Sequence, residues 1–271
     1  MMTVDVSIDP TPDVPPATLW KEAASGSGHA LALLGHEIFK ASTAGCIGLA
    51  EGLAAAEMML RLAQAVGGPS ERAALIIALD TRARFLEADA PELSAILMIE
   101  VHRLLQLAAN DGDEGAAEAL ANWQHAPSTP NAFAIEHFAV QAAASGDEDA
   151  LMALGRAFMQ AFFDSGSINS PALAQAEVLY RLAAAHGDCA AIGALADNLV
   201  RRGQYEAERD GPADVALSEA ADLVVMLAKA DPLRFGSWLG EYAEHAGVDR
   251  LAPALKESPS LLVHLLPGGA C

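Results

Sequence analysis

The stretch from Leu179 to Val200, LYRLAAAHGDCAAIGALADNLV, sets His186 three residues before Cys189 at a His-Gly-Asp step. A thiolate beside an imidazole is a pairing that nucleophilic catalysis uses. His29 and His36 lie seven residues apart, a spacing that shares one helix face and permits a common metal ion. The run His36–Ala41, HEIFKA, opens like a zinc helix but has no second histidine four residues on. His125 and His137 flank a proline-containing turn, with no carboxylate spaced to pair them. Gly45–Gly52, GCIGLAEG, is glycine-rich but matches neither phosphate-cradling motif, and neither GxSxG nor SxxK with its partner motifs occurs. The chemistry these residues carry is thin, and it predicts no catalytic residue, no metal and no cofactor. A hydrolase acting in a groove stays as an alternative.

Composition narrows the classes further. Cys46, Cys189 and Cys271 form no CxxC pair and are too scattered for a disulfide framework or a cysteine-rich zinc site. Sixteen Lys and Arg against thirty-six Asp and Glu leave a net charge of −20. Such a surface repels a phosphate backbone and attracts a basic protein segment, although acidity also serves solubility alone. No uncharged run approaches the ~20 residues that cross a bilayer. The opening MMTVDVSIDPTPDVPP has aspartates and prolines where a secretory signal needs a basic end and an apolar block. The expectation is a soluble, cytoplasmic chain that binds neither nucleic acid nor the membrane interior.

The elements that must position any site follow a repeated frame. Before Gly187 stand Ala176, Leu179, Tyr180, Ala183 and Ala184, at offsets that share one helix face. The same offsets give Val101, Leu104, Leu105, Ala108 and Ala109 before Gly112, and Ala220, Leu223, Val224, Leu227 and Ala228 before Asp231. Further copies precede Gly67 and Gly146, and a weaker one precedes Gly28. After each turn comes a second frame with small residues at +4 and +9 and leucine at +8. Ala150, Leu154 and Gly155 follow Gly146 in this way, as Ala191, Leu195 and Ala196 follow Gly187. Near the start Ala30, Leu34 and Gly35 fit if Gly26 is the turn residue, which leaves that junction open by two residues. After Gly67 the frame takes a two-residue insertion, placing Ala73, Ile77 and Ala78.

Glycine ends one helix in the left-handed conformation, and Asp or Ser just beyond it caps the next. Small residues at +4 and +9 allow close helix approach, with Leu at +8 between. The pattern predicts an all-α chain, an α-solenoid of five to six antiparallel helix hairpins. Turn-to-turn spacings of 45, 34, 41 and 44 residues put the length variation in loops at Lys40–Gly52, Ala126–Asn131, Asp164–Pro171 and Gly203–Asp214. The predicted organisation is a proline-containing tail over 1–16, the solenoid over 17–250, and a capping helix with a tail over 251–271.

These residues resemble the Sel-one-like repeat family, relatives of tetratricopeptide repeats. ALMALGRAF at Ala150–Phe158 followed by AEVLYRLAAAHG at Ala176–Gly187 is the best copy, and DGPADVALSEAADLVV at Asp210–Val225 is similar to the family's loop and second-helix start. The resemblance implies a partner-binding concave face lined by the first helix of each hairpin, at offsets +3, +6, +10 and +13. In the first unit that face holds His29, His36 and Phe39, and in the third Glu118, Asn122 and His125. The fourth gives Asp149, Met152, Arg156 and Met159, and the fifth Asp197 and Val200. Arg234, Ser237, Glu241 and Glu244 complete it. The function this implies is a protein-interaction scaffold or adaptor that binds a protein or peptide. The alternative is an acidic inhibitor or immunity-type protein that neutralises a basic partner.

Overall fold

The glycine turns fold alike. Gly26, Gly112, Gly146 and Gly187 adopt φ of 84°, 94°, 85° and 88°, the region where a side chain is strained. The residue after each is the N-cap of the next helix. Ser27, Asp113, Asp147 and Asp188 accept hydrogen bonds from the backbone N–H of Ala30, Ala116, Ala150 and Ala191. The junction left open by the sequence is thereby settled in favour of Gly26. At Gly67 the turn is built differently: Gly68 N–H donates to Glu71 Oε2 at 2.8 Å and Pro69 begins the helix.

The structure, a computed structural model, describes residues 17–123, 137–166, 170–209 and 213–231, together with 235, 238, 239, 242 and 243. In chain order the helices are α1 (Ala17–Ala24), α2 (Gly28–Thr43), α3 (Leu49–Val66), α4 (Pro69–Leu86), α5 (Pro91–Asn110) and α6 (Glu114–Ala121). They continue with α7 (His137–Ala144), α8 (Glu148–Asp164), α9 (Ser170–Ala184), α10 (Cys189–Ala207) and α11 (Ala213–Ala230). No strand occurs among the described residues. Two expected loops are shorter than anticipated, because α2 runs on to Thr43 and α10 to Ala207. Gly203 then lies inside α10, buried against Leu217 of α11.

The hairpin frame holds its core positions. Leu34, Leu75, Leu154 and Leu195 are all buried. Gly35 and Gly155 are small because a partner helix presses on them: an added Cβ would lie 2.8 Å from Leu60 Cγ and 2.5 Å from Tyr180 Cε1. Burial at that contact pushes the Tyr180 hydroxyl up to about 12, with the Arg156 charge pulling the other way. The insertion expected after Gly67 is not there. Ile77 is 59% exposed and Leu75 is buried at +8, in register with the other units.

Successive helices pack on one another from α1 through α5 to α6, and again from α7 through α10 to α11. The two series are copies. Residues 17–86 align without a gap on residues 137–206, with 22 of 70 positions identical. The identities include Gly26/Gly146, Glu57/Glu177, Arg61/Arg181 and Arg82/Arg202, which an alanine-rich composition does not supply. Beyond this the register shifts by one residue, pairing Glu100 with Glu219 and Leu120 with Leu239.

The halves meet through α3 and α9, which lie against each other. Both helices are buried on nearly every side, as befits elements at a centre. Around them one apolar cluster draws equivalent residues from both halves, including Leu31 and Leu151, Leu34 and Leu154, and Leu62 and Leu182. Each half also keeps an outer cluster of its own. A one-dimensional stack, in which each hairpin touches only its neighbours, makes no contact such as α3 on α9. The chain is all-helical as expected, but the continuous superhelix is not established by this packing.

Candidate functional site

Along α2, α8 and α10 the exposure of the expected partner-facing positions follows helix geometry. At about 100° per residue, +13 lies only about 40° round from the tightly packed +9 position, +6 about 60°, +10 about 100° and +3 about 120°. Met159 and Val200, both at +13, are accordingly buried in the outer core of the second half. Met159 Sδ accepts a hydrogen bond from Asn198 Nδ2 at 3.1 Å. These two residues do not line a groove, which corrects the expectation for +13. Phe39, also at +13, is half-buried against the outer core of the first half. Met152 at +6 is half-buried, while His36, Arg156 and Asp197 at +10 and His29 and Asp149 at +3 are exposed. Glu118 and Asn122 are exposed on and just beyond the short α6. His125, Arg234, Ser237, Glu241 and Glu244 lie outside the described residues.

Three of the expected residues are brought together. Asp149, Met152 and Arg156 of α8 line a shallow depression of about 440 Å³ with Asp147, Glu148, Asp188 and Ala190. The carboxylates gather there because α8 and α10 both begin at the depression. Asp147 and Asp188 are their N-caps, and Glu148 and Asp149 lie in the first turn of α8, where outward-pointing backbone N–H groups favour acidic residues. Asp147 and Asp188 are committed to their caps, which leaves Glu148 and Asp149 free to meet a ligand. Arg156 is the one cation in the lining and makes no ion pair among the described residues. In the first half the matching helices α2 and α4 are in contact, and an added Cβ on Gly28 would meet Val66 Cγ2 at 3.2 Å.

The candidate chemistry of the sequence does not assemble. The ring Nε2 of His186 lies 3.1 Å from the Ala24 carbonyl of the other half. Cys189 packs instead with Ile192, Leu227 and Phe235. His186 is therefore a contact between halves and more than an incidental turn residue. Among the described residues no group of three or more His, Cys, Asp or Glu side chains is placed to hold a metal ion. The lining of the depression supplies carboxylates and a guanidinium, but no Ser, Cys or His.

Sequence reasoning missed two buried charge networks. In the first half Glu57 lies between Arg61 and Arg82, and Arg61 reaches on to Glu100, with Nη2 donating to Oε2 at 2.6 Å. In the second half Glu177 lies between Arg181 and Arg202, and Arg181 reaches Glu219 with Nη2 donating to Oε2 at 2.7 Å. Burial opposes ionisation of both glutamates, but the paired arginine charges outweigh it and hold each carboxyl below its ordinary range. The register between the halves is what would have revealed them, since three members of one network recur 120 residues on and the fourth, Glu100, recurs as Glu219 after the one-residue shift.

Compared with known protein families, curated proteins and solved structures, the chain matches none. Among the described residues no helix is long and apolar enough to cross a membrane.

Proposed function

We propose that the chain is a protein-interaction scaffold or adaptor, made of Sel-one-like hairpins, that takes a basic protein or peptide segment between α8 and α10. The observation that carries this reading is the acidic depression there, with four carboxylates and one guanidinium, unpaired among the described residues, in its lining. Charge distribution supports it. Arg61, Arg72, Arg82, Arg84, Arg181 and Arg202 all face carboxylates of the chain itself. The large excess of acidic residues is thus left for solvent and for partners. Carboxylates without a nucleophile beside them suit recognition better than hydrolysis. The same charge also serves the inhibitor reading, in which one basic target is neutralised; a single tight stoichiometric partner would favour it over an adaptor.

Titration with a lysine- and arginine-rich peptide tests the site. The intact chain is expected to bind it with an affinity that falls as salt rises. Replacing Glu148 and Asp149 together by lysine should weaken binding by about tenfold, from lost attraction plus new repulsion. Replacing Glu92 by lysine, at the exposed start of α5, should leave it unchanged. Equal effects at both places would mean diffuse attraction to an acidic surface and would overturn the site.

A further inference from the structure

The boundary between the halves has the reciprocity of a two-fold interface. In such an interface residue i meets j while the equivalent of i meets the equivalent of j. A Cβ added at Gly26 would meet the Ser145 carbonyl at 3.0 Å and the Ala144 oxygen at 3.2 Å. One added at Gly146 would meet the Ala24 oxygen at 2.5 Å and the Ser25 carbonyl carbon at 3.3 Å. Gly26 matches Gly146, Ala24 matches Ala144 and Ser25 matches Ser145 in the 120-residue register. The same exchange holds between helices, because α1 touches α9 and α3 touches α7. The central cluster is shared in the same sense, since it gathers equivalent residues of both halves, among them Leu31 with Leu151, Leu34 with Leu154 and Leu62 with Leu182.

Each half is also contiguous in sequence. Helices α1 to α6 pack within one half and α7 to α11 within the other, and among the described residues no helix is donated across the boundary. The halves are joined by the segment 124–136 alone.

We propose that this interface is a docking surface for a second copy of the same module, an interface of the homodimer kind enclosed within one chain. The partner each half fits is the other half. The peptide connection raises their local concentration, while the contacts of α1, α3, α7 and α9 supply recognition. This is the arrangement that tandem duplication of a self-pairing module leaves behind. It also leaves each copy free to change its outer face, since the assembly rests on the inner one.

The test uses the full-length chain with a protease sequence inserted between residues 123 and 137, folded first and then cut. The two fragments are expected to elute as one particle of unchanged helicity. The melting temperature of the cut protein should rise with protein concentration, whereas that of the uncut protein should not. A matched pair of variants locates the recognition. Gly146 and Gly187 share nearly the same φ, so alanine strains the backbone equally at each. Only at Gly146 does the new methyl meet the other half, because nothing lies within 4 Å of it at Gly187. Gly146→Ala should raise the dissociation constant of the cut fragments about tenfold over Gly187→Ala. Fragments that separate or precipitate on cutting, a melting temperature independent of concentration, or equal behaviour of the two variants would overturn the proposal.

Discussion

Replacing Glu57 by leucine is expected to cost about 3–5 kcal/mol of folding stability, the range for stripping one partner from a buried ion pair. Glu57 is 3% exposed, and its two arginines reach it from different directions, Arg61 from its own helix and Arg82 from α4. Without it Arg61 keeps Glu100, but Arg82, itself buried, loses its only ion-pair partner among the described residues. Changing Arg82 to methionine in the same protein should recover much of the loss, because no buried charge is then left uncompensated. Glu177→Leu should cost less than Glu57→Leu. Arg202 retains Glu206 at 3.5 Å, and the second-half arginines are more exposed than those of the first. Chemical denaturation of the three variants measures the order directly.

The network also has a pH signature. The Glu57 and Glu177 carboxyls titrate below their ordinary value of 4.5 in the folded chain. The unfolded chain therefore binds more protons in that region, and stability falls as pH falls. Their contribution is complete above the unfolded value and is lost as pH drops through the folded one. The gap in melting temperature between the parent protein and Glu57→Leu should accordingly be widest near neutrality and shrink below about pH 4. A gap that holds constant into acid would mean that the carboxylate's charge contributes nothing.

The turns and hairpin cores were legible because their causes are local. Gly146 followed by Asp147 specifies a left-handed turn and a cap within two residues, and Leu154 with Gly155 specifies a packed face within one helix. The association of α3 with α9 was not legible, because it joins residues about 120 apart through alanines and leucines like those elsewhere in the chain. Glu57 and Glu177 look like solvent-facing charges when read along their own helices. Only the helices packed over them make them interior. Of the candidate site, Asp149 and Arg156 were found because their faces lie far from the +9 contact; Met159 and Val200 were misplaced because +13 turns back toward it. Asp188 was missed, since the helix placing it beside Asp149 starts some forty residues later.

Leu154→Ala and Leu195→Ala should each cost about 2–5 kcal/mol, the range for emptying a buried leucine site. Both side chains are 4% exposed, yet they sit in different places: Leu154 in the cluster shared by the halves, Leu195 in the outer core of the second. Ile77→Ala, at a site 59% exposed, should stay within about 0.5 kcal/mol. A large cost at Ile77 with none at Leu75 would restore the insertion after Gly67 and break the register between halves. The form of the melting curve carries further information. In a linear stack stability is nearly a sum over neighbouring units, so Leu195→Ala would loosen its own end and leave the far end standing. Here α3 and α9 tie the two series together through a common core. A loss in either half is then felt by both, and each variant should shift one cooperative transition to lower denaturant concentration without splitting it.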